Sequence, residues 1–511
     1  MDRNEPKFLG HPVGLYICAL TEMWERFSFY GMKFLLLLYL TKYHLFKDAE
    51  GLEVLGNYAG LVYAMPVIGG MLADRYLGMR KAVIFGGVLL CLGHLGMAYE
   101  GHAATLQAGL VTRDTGAIQV FYFSLALIIT GVGFLKPNIS TIVGRLYEPE
   151  DPHRDSGFTI FYMGINLGSF LATLICGYLG ETYGWRYGFG MAGIGMIFGL
   201  IVFSWGQKYL YGHAEPANPA VLKEKVLGGV LNKEYAIYLG SLLALVAVWQ
   251  LVQSHTWVQG ALIGTSCVFL VWLIWFLTTK CNRIERHRMI VLTVLTMSTV
   301  VFWALFEQSA ASMTLFADRV VDRVTSVAEF TASQLGALNA LFIFLLAPVF
   351  AALWIKLAKA KLEPSTPVKF ALGIIQAGLG FGALVLGAKF AAESGTKVAL
   401  IWIVLAYLLH TTGELCLSPV GLSAVTKLSV DKVVGVMMGA WFLATAASEK
   451  VAAELSKIAA IDTSAGEIQD IGAALATYGS FFSFLLWFGV GFGVFMLLLS
   501  PLLRRGMHGV H

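Results

Sequence analysis

The chain has 511 residues, of which 57% are hydrophobic and only 13% are charged, and its mean hydropathy is +0.71. Soluble domains carry about 25% charged residues, so the composition excludes a soluble enzyme, a nucleic-acid-binding protein, a disordered chain and a secreted disulfide scaffold. A transmembrane helix needs about 20 apolar residues, and the length therefore allows about 12 to 15 spans. The sequence predicts an all-α polytopic protein embedded in a lipid bilayer.

In chain order, the apolar runs of spanning length form groups of six, two and six. Residues 1–10 are polar and lack the apolar core of a signal peptide, so we expect the first run to be retained as helix 1. The first six runs are Val13–Leu40, Leu55–Leu77, Ala82–Tyr99, Val120–Leu146, Phe158–Leu179 and Trp185–Trp205. The next two are Tyr235–Val252 and Val258–Thr279. The last six are Met289–Phe316, Leu335–Leu357, Val368–Phe390, Val398–Val425, Val433–Ile458 and Ala474–Leu503.

This pattern predicts 14 transmembrane helices in three parts. An N-terminal six-helix bundle would occupy residues 1–210, a linker with a two-helix insert residues 211–286, and a C-terminal six-helix bundle residues 287–511. If the N-terminus is cytoplasmic, 23 of the 36 Lys and Arg residues lie in cytoplasmic segments and ten on the opposite face. The positive-inside rule then places both termini in the cytoplasm. Two six-helix halves favour a repeat architecture with a binding site at the midplane between them.

Helix 1 carries several ionisable residues inside a span. Glu22, Arg26 and Tyr30 follow one another at intervals of four residues, and Lys33 falls on the same helical face. Each charge at the bilayer centre costs at least about 2.5–3.5 kcal/mol, so this face is expected to meet the bundle interior or water. A static ion-pair network that locks helix packing is the alternative, but four ionisable groups exceed what packing needs.

Other spans add polar residues, and the signs of their charges differ between the halves. The N-terminal half supplies three cations and two carboxylates, whereas the C-terminal half supplies carboxylates alone. Such a split favours a small zwitterionic ligand, because both of its poles would be satisfied where little water is available. The residues concerned are Glu22, Glu25, Arg26, Lys33 and Lys136 in the first half, with Asn166 in helix 5, and Glu307, Glu414 and Ser418 in the second half.

Intramembrane carboxylates can also bind protons, and aromatic residues can line a binding site. Glu22, Glu25 and Glu307 are therefore candidates to take up and release protons during transport. Apolar walls with polar tips would come from Tyr30, Tyr63, Trp303 and Trp441, although ordinary packing is an equally good account of any one of them.

The sequence predicts no cofactor and no metal. It has no G-x-x-x-x-G-K-[ST] loop, so we do not expect ATP to drive the protein. Its six cysteines form no C-x-x-C pair and lie mostly in apolar runs, which is typical of small hydrophobic residues.

Six motifs, in order along the chain, resemble the proton-coupled oligopeptide transporter (POT, or PTR) family of the major facilitator superfamily. Glu22–Lys33 is similar to the E-x-x-E-R-F-x-Y-Y-G motif, and Gly69–Gly78 to the signature of the helix 2–3 loop. The others are Gly131–Asn138 (G-x-G-x-x-K-P-N), Phe161–Ser169 (F-Y-x-x-I-N-x-G-S), Phe302–Gln308 and Glu414–Gly421.

The resemblance implies roles for the matching positions. Arg26, Lys33 and Lys136 would receive the peptide carboxylate, and Glu414 would hold the amino group. The loop residues Asp74 and Arg75 would take part in gating. The remaining roles are peptide binding for Asn166 and Asn339, side-chain pockets for Tyr30, Tyr63, Trp303 and Trp441, and proton coupling for Glu22, Glu25 and Glu307, with Arg26 and Lys136 as exchanging partners.

Three positions depart from the family pattern. Lys33 stands where Arg is usual and loses the bidentate fork for a carboxylate. Phe29 replaces the first Tyr of the Y-Y pair, and Ala340 follows Asn339 where the family has Pro. Helix 2 contains no histidine, so proton coupling should depend on carboxylates.

The resemblance implies a proton-coupled symporter that imports di- and tripeptides across the cytoplasmic (inner) membrane of a bacterium by alternating access. It would act as a monomer, without a nucleic-acid partner. Another small anion or zwitterion, such as nitrate, is the rival substrate. A channel or a membrane-embedded enzyme is the alternative from another class, but the sequence shows no nucleophile–base pair or metal cluster for catalysis.

Overall fold

The computed structural model describes residues 6–148, 151–216, 218–226, 229–326, 328–464 and 466–510. Long α-helices account for most of these residues. The first six are α1 (Val13–Leu38), α2 (Asp48–Leu72), α3 (Met79–Met97), α4 (Thr115–Arg145), α5 (Arg154–Tyr183) and α6 (Trp185–Gly206). Single π-helical turns extend two of them, Tyr39–Tyr43 after α1 and Ala73–Leu77 after α2.

The linker region and the C-terminal part contain ten more helices. The linker contains the short α7 (Pro219–Lys223), followed by α8 (Lys233–Val252) and α9 (His255–Thr279). The rest are α10 (Arg283–Phe306), α11 (Ser312–Val320), α12 (Ala337–Lys359), α13 (Thr366–Ser394), α14 (Leu400–Leu428), α15 (Val434–Ser456) and α16 (Ile471–Gly506). Asn282 caps α10 in a reciprocal capping box with Glu285.

Four small two-stranded sheets lie in the connections. Three are antiparallel: β1 (Lys7–Phe8) with β2 (His11–Pro12), β3 (Thr105–Gln107) with β4 (Leu110–Thr112), and β5 (Lys225–Val226) with β6 (Leu231–Asn232). The fourth is parallel and pairs Val321 of β7 (Val321–Asp322) with Val398 of β8 (Val398–Ala399).

Among the described residues, twelve helical segments are long and apolar enough to cross a membrane. Two further long helices, α1 with 26 residues and α15 with 23, carry internal charges. Each predicted apolar run corresponds to one of these segments, and the protein is a multi-pass helical membrane protein. The count of fourteen spans and the cytoplasmic position of both termini stay predictions.

The run predicted at Met289–Phe316 lies in one candidate span, Arg283–Val320, but the α-helix within it is interrupted. Helix α10 ends at Phe306, a 3-10 turn follows at Glu307–Ala310, and α11 begins at Ser312. The fully buried Gln308 stabilises this break. Its amide donates to the carbonyl oxygens of Ala304 and Ala452, and its Oε1 accepts from the hydroxyls of Ser312 and Ser456.

The described residues divide into two compact units by their contacts. Unit 1 comprises the described parts of Met1–Leu45 and Leu61–His255, and unit 2 those of Phe46–Gly60 and Thr256–His511. Helix α2 therefore contributes its first half to unit 2 and its second half to unit 1. The division into parts at residues 1–210, 211–286 and 287–511 stays a prediction.

Each unit has its own helix pairs. In unit 1, α1 packs against α5 and α6, and α3 packs against α4. In unit 2, α13 packs against α14 and α16, and α10 packs against α15. Helix α1 contacts both α5 and α6, and its last four residues, Leu35–Leu38, are completely buried.

Candidate functional site

The polar cluster of α1 is built around Arg26, which is 2% exposed. Its guanidinium donates to both carboxylate oxygens of the adjacent Glu25, with Nη2 2.5 Å from Oε1. The guanidinium Nε also lies 3.5 Å from Oε1 of Glu22, one helical turn earlier. Because all three side chains are almost entirely buried, this ion-pair cluster is held where little water competes with it. The structure thus brings together three of the residues predicted from the sequence.

The same helix adds a second layer of cation–aromatic contacts. The Arg26 guanidinium lies 4.7 Å from the ring centroid of Phe29 and 6.0 Å from that of Tyr30. The Lys33 ammonium is 5.8 Å from the Phe29 ring. Phe29 is the position at which the family pattern has tyrosine, and here its ring face lies within reach of two cations.

Lys136 reaches this part of unit 1 from α4. Its ammonium lies 4.6 Å from the ring centroid of Tyr63 in α2, and it is within electrostatic range of Arg26 and Glu22. A close crossing of α2 and α4 permits the contact, since a Cβ on Gly69 would come within 2.1 Å of the Gly133 carbonyl oxygen.

Asn166 lies on α5, which is held against α1 by small residues. A Cβ on Gly168 would lie 2.1 Å from the Met23 carbonyl oxygen, so only glycine allows this approach. Asn166 is 6% exposed and its amide donates to the carbonyl oxygen of Tyr162, 3.0 Å away in the same helix. The role in peptide binding predicted for Asn166 stays a prediction.

In unit 2, Glu414 is joined to Asn339 of α12. The Asn339 amide donates to Oε2 of Glu414 at 3.0 Å and to the hydroxyl of Thr411 at 3.1 Å. His410 is one turn from Glu414, but its Nε2 lies 3.0 Å from the carbonyl oxygen of Ala377. Asn339 and Glu414, predicted separately, therefore form one hydrogen-bonded group.

The other predicted residues of unit 2 are spread over three helices. Glu307 is half-buried at the break after α10, and its charge acts on Glu414. Trp303 packs edge-on against Phe302 and Phe306 of its own helix. Two further residues are the buried Trp441 of α15 and the half-buried Ser418 of α14.

Asp74 and Arg75 lie in the π-helical turn after α2. Both are exposed, and the Arg75 guanidinium lies 5.4 Å from the ring of the following Tyr76. Stronger anchoring comes from Arg80, whose guanidinium donates to the Glu215 carboxylate and to the side-chain oxygen of Gln207. Sequence reasoning did not single out Arg80 for this role.

The sequence analysis also missed a buried polar seam in unit 2. Arg319 of α11 makes two hydrogen bonds of 2.6 Å to Asp48, the first residue of α2. Lys450 donates to Asn57 at 2.7 Å. Charge counting assigned Lys450 to the face opposite the cytoplasm, but its side chain is buried within α15. One signal for these contacts was available in the sequence. Oppositely charged residues stand at the ends of predicted spans on the same side of the membrane.

Among the described residues, no group of three or more His, Cys, Asp or Glu side chains is placed to hold a metal ion. The ionisable residues predicted for the site belong to two polar groups. Unit 1 has three cations with two carboxylates, and unit 2 has Glu307 and Glu414. Charges of this kind inside a polytopic helical protein mark ion and substrate pathways, which defines the class as membrane transporters rather than enzymes.

Comparison with known proteins identifies the family. The POT family profile matches residues 80–471. The chain is 38% identical to the transporter YclF of Bacillus subtilis, over 98% of this chain and 96% of the relative. It is 37% identical to the peptide transporter YePEPT of Yersinia enterocolitica, over 86% of each. It is 34% identical to a di-/tripeptide transporter of Lactococcus lactis subsp. cremoris, over 90% of this chain and 92% of the relative.

A solved structure agrees with these matches. The crystal structure of a peptide transporter POT in complex with sulfate is similar with a TM-score of 0.82 and 35% identity, over 99% of this chain and 98% of that one. The chain belongs to the POT family. The resemblance drawn from six motifs is therefore confirmed, and so are the helical major facilitator fold and the class of transporter.

Proposed function

We propose that this protein is a proton-coupled symporter that imports di- and tripeptides by alternating access. Membership of the POT family supports this assignment, as does similarity to the peptide transporter of Yersinia and the di-/tripeptide transporter of Lactococcus. The observation that carries it furthest concerns the predicted site residues, since the cations Arg26 and Lys33 are buried in unit 1 and the Glu414–Asn339 group lies in unit 2. A short peptide has one carboxylate and one ammonium group, so it matches both.

The peptide carboxylate is assigned to the cations of unit 1. Arg26 is already neutralised by Glu25, whereas the Lys136 ammonium faces an aromatic ring, Tyr63. A carboxylate that replaces the ring as the partner of Lys136 gains a charge-assisted hydrogen bond. Lys33 stands near the Phe29 ring and supplies a second positive charge, although its single ammonium lacks the bidentate geometry of arginine.

The peptide amino group is assigned to Glu414. Its Oε2 accepts from Asn339, which fixes the carboxylate in one orientation and leaves lone pairs for a ligand ammonium. Asn166 and Asn339 would contact the peptide backbone, and Ser418 would add a hydroxyl. Side-chain pockets are assigned to Tyr30, Tyr63, Trp303 and Trp441.

Proton coupling is assigned to Glu22, Glu25 and Glu307. Glu22 Oε2 is buried and has no hydrogen-bond partner among the residues that the structure describes, so protonation of this oxygen costs no bond seen there. Protonation of Glu22 or Glu25 would release Arg26 from its ion pairs, and Arg26 and Lys136 would then exchange partners with the peptide carboxylate. The exposed Asp74 and Arg75 would act in gating at the end of α2.

The remaining assignments concern the setting of the protein. The bacterial relatives support a place in the cytoplasmic membrane of a bacterium. We propose a monomer that needs no cofactor, with the proton gradient as its source of energy, and with di- and tripeptides, protons and the lipid bilayer as its partners.

Uptake of dialanine into proteoliposomes tests the function. With an inward proton gradient and a negative interior potential, we expect accumulation that a protonophore abolishes. Radiolabelled nitrate in the same vesicles measures the rival substrate. Folded protein that accumulates nitrate, or that shows no gradient-dependent peptide uptake, would contradict the proposal.

A further inference from the structure

A positively charged cavity lies in unit 2, away from the candidate transport residues. Its volume is about 730 Å³, and it is lined by the end of α12, the start of α13 and the ends of α14 and α16. The charged residues that line it are Lys361, Glu363, Lys369, Lys427 and Arg504. The positive-inside rule places this end of the helices at the cytoplasmic face of the membrane.

The charges in this cavity do not balance. The Lys369 ammonium is 2.6 Å from the Glu363 carboxylate and lies 4.6 Å from the Trp354 ring, so this pair is internally compensated. Glu363 is the only acidic residue among the described residues that line the cavity. Lys361 and Arg504 therefore leave it with a net positive charge, which attracts an anion.

Two of these cations have no protein partner in the part of the chain that the structure describes. Neither Arg504 nor Lys361 forms a side-chain hydrogen bond or ion pair there, and both are exposed to the cavity. Arginine binds phosphate through parallel hydrogen bonds, and lysine adds a compact positive charge. The pair therefore offers the complementary groups that a phosphate group needs.

A second cavity of about 520 Å³ adjoins the first and shares Ser365 and Arg504 with it. It adds the cation Arg505. Ser365 is the N-cap of the 29-residue helix α13 but makes no side-chain capping bond, so the first-turn amides add to the positive field. Together the two cavities are of a size that small ligands and lipid headgroups occupy.

We propose that this cavity binds a phosphate-bearing anion, with Arg504 and Lys361 as its ligands. The phosphate could belong to the headgroup of an anionic phospholipid or to a soluble phosphate ester. Exposed apolar side chains beside the cations, Leu362 at 70% and Leu502 at 65% exposure, mark where acyl chains would lie. Basic pockets between transmembrane helices on the cytoplasmic side are a known mode of headgroup binding.

The test uses the full-length protein and two probes. Native mass spectrometry measures phosphatidylglycerol retained after extraction from nanodiscs of phosphatidylcholine mixed with phosphatidylglycerol. Thermal unfolding measures how far glycerol 3-phosphate raises the unfolding temperature, compared with an equal concentration of chloride. The test variants are Arg504→Gln and Lys361→Gln, singly and combined. Lys359→Gln is the matched control, because Lys359 is an exposed cation at the end of α12 outside both cavities.

We expect the combined variant to lose bound probe by about tenfold or more, while Lys359→Gln behaves as wild type. Loss confined to phosphatidylglycerol assigns the site to lipid, and loss confined to glycerol 3-phosphate assigns it to a soluble ester. Equal binding of both probes by wild type and the combined variant would overturn the proposal. If Arg504→Gln does not fold, Lys361→Gln alone should still weaken binding, and Arg504→Lys should largely preserve it.

Discussion

Arg319 and Asp48 form a bidentate ion pair, with two nitrogen–oxygen distances of 2.6 Å, although 271 residues separate them. Both side chains are nearly inaccessible to solvent. The Tyr478 hydroxyl accepts from Arg319 Nη1 at 3.1 Å, and the backbone amide of Ile461 donates to Asp48 at 2.9 Å. These hydrogen bonds hold the start of α2 against α11, and they tie the pair to α16 and to the backbone that follows α15.

Because this pair anchors the first turn of α2 within unit 2, its loss should destabilise the protein that carries out uptake. Asp48→Asn removes the charge at nearly constant shape and leaves Arg319 buried without its counter-ion, which costs about 3–5 kcal/mol. We expect initial dialanine uptake to fall by at least about tenfold. The control is Glu53→Gln, since Glu53 pairs with Lys457 at 2.8 Å in a more exposed place. Uptake within a factor of about two of wild type would show that transport does not depend on this ion pair.

If Glu414 binds the amino group of the peptide, a change at this residue should affect peptides with and without a free amino group differently. Glu414→Gln should weaken uptake of free dialanine by about ten- to a hundredfold, because a charge-assisted hydrogen bond contributes about 1.5–3 kcal/mol. N-acetyl-dialanine lacks the ammonium group, and its poorer uptake should change little. Competition assays in proteoliposomes measure both. The exposed Glu393→Gln in the same unit is the control, and equal losses for the two peptides would contradict the role of Glu414.

Proton coupling by Glu22 predicts a separation of two activities. Glu22→Gln fixes this position in a neutral form, so the proton gradient can no longer bias Arg26. We expect gradient-driven accumulation to be abolished while peptide counterflow, which needs no net proton movement, continues. The neutralising variant Asp155→Asn, at the exposed start of α5, should keep both activities. Accumulation at the wild-type level in Glu22→Gln would exclude Glu22 from coupling.

His44 lies outside the predicted spans, and its surroundings predict that the stability of the protein depends on pH. Burial, assisted by the positive charge of Arg113, lowers the pKa of His44 from 6.5 to about 4. The unfolded chain therefore binds this proton more readily between pH 6.5 and 4. The contribution of neutral His44 to the free energy of unfolding is therefore complete above pH 6.5 and is lost as the pH falls toward 4. The free energy of unfolding changes by on the order of 2 kcal/mol over this range.

Thermal unfolding between pH 7 and pH 4.5 measures this dependence. His44→Gln keeps a hydrogen-bond partner for the Tyr39 hydroxyl, which lies 2.8 Å from His44 Nε2, and should unfold with a shallower dependence on pH. His102→Gln changes a histidine whose side chain is 95% exposed and should keep the wild-type slope. Identical slopes in all three proteins would disprove the assignment to His44.

The sequence predicted features that depend on neighbours along one helix or on family motifs. Glu22 and Arg26 are four residues apart, and helical periodicity alone placed their side chains together. The break at Glu307 could not be predicted, because neither Pro nor Gly marks it. It depends on Gln308 bonding to Ser456, a residue 148 positions away. The pairing of Asp48 with Arg319 likewise requires the packing of distant helices.

Gly69 sets the distance between α2 and α4 and so provides a further prediction. A Cβ there would lie 2.1 Å from the Gly133 carbonyl oxygen, whereas one on the neighbouring Gly70 would lie 3.5 Å from Pro137. Gly69→Ala must push the helices apart, and overpacking of this kind costs about 1–3 kcal/mol. It should also draw Tyr63 away from Lys136.

We therefore expect Gly69→Ala to lower the unfolding temperature and the dialanine uptake rate together, while Gly70→Ala, an ordinary van der Waals contact, leaves both near wild type. If Gly69→Ala reduced neither property, the close crossing of α2 and α4 would not be what positions Lys136, and its ammonium would have to be held by the charges of α1 instead.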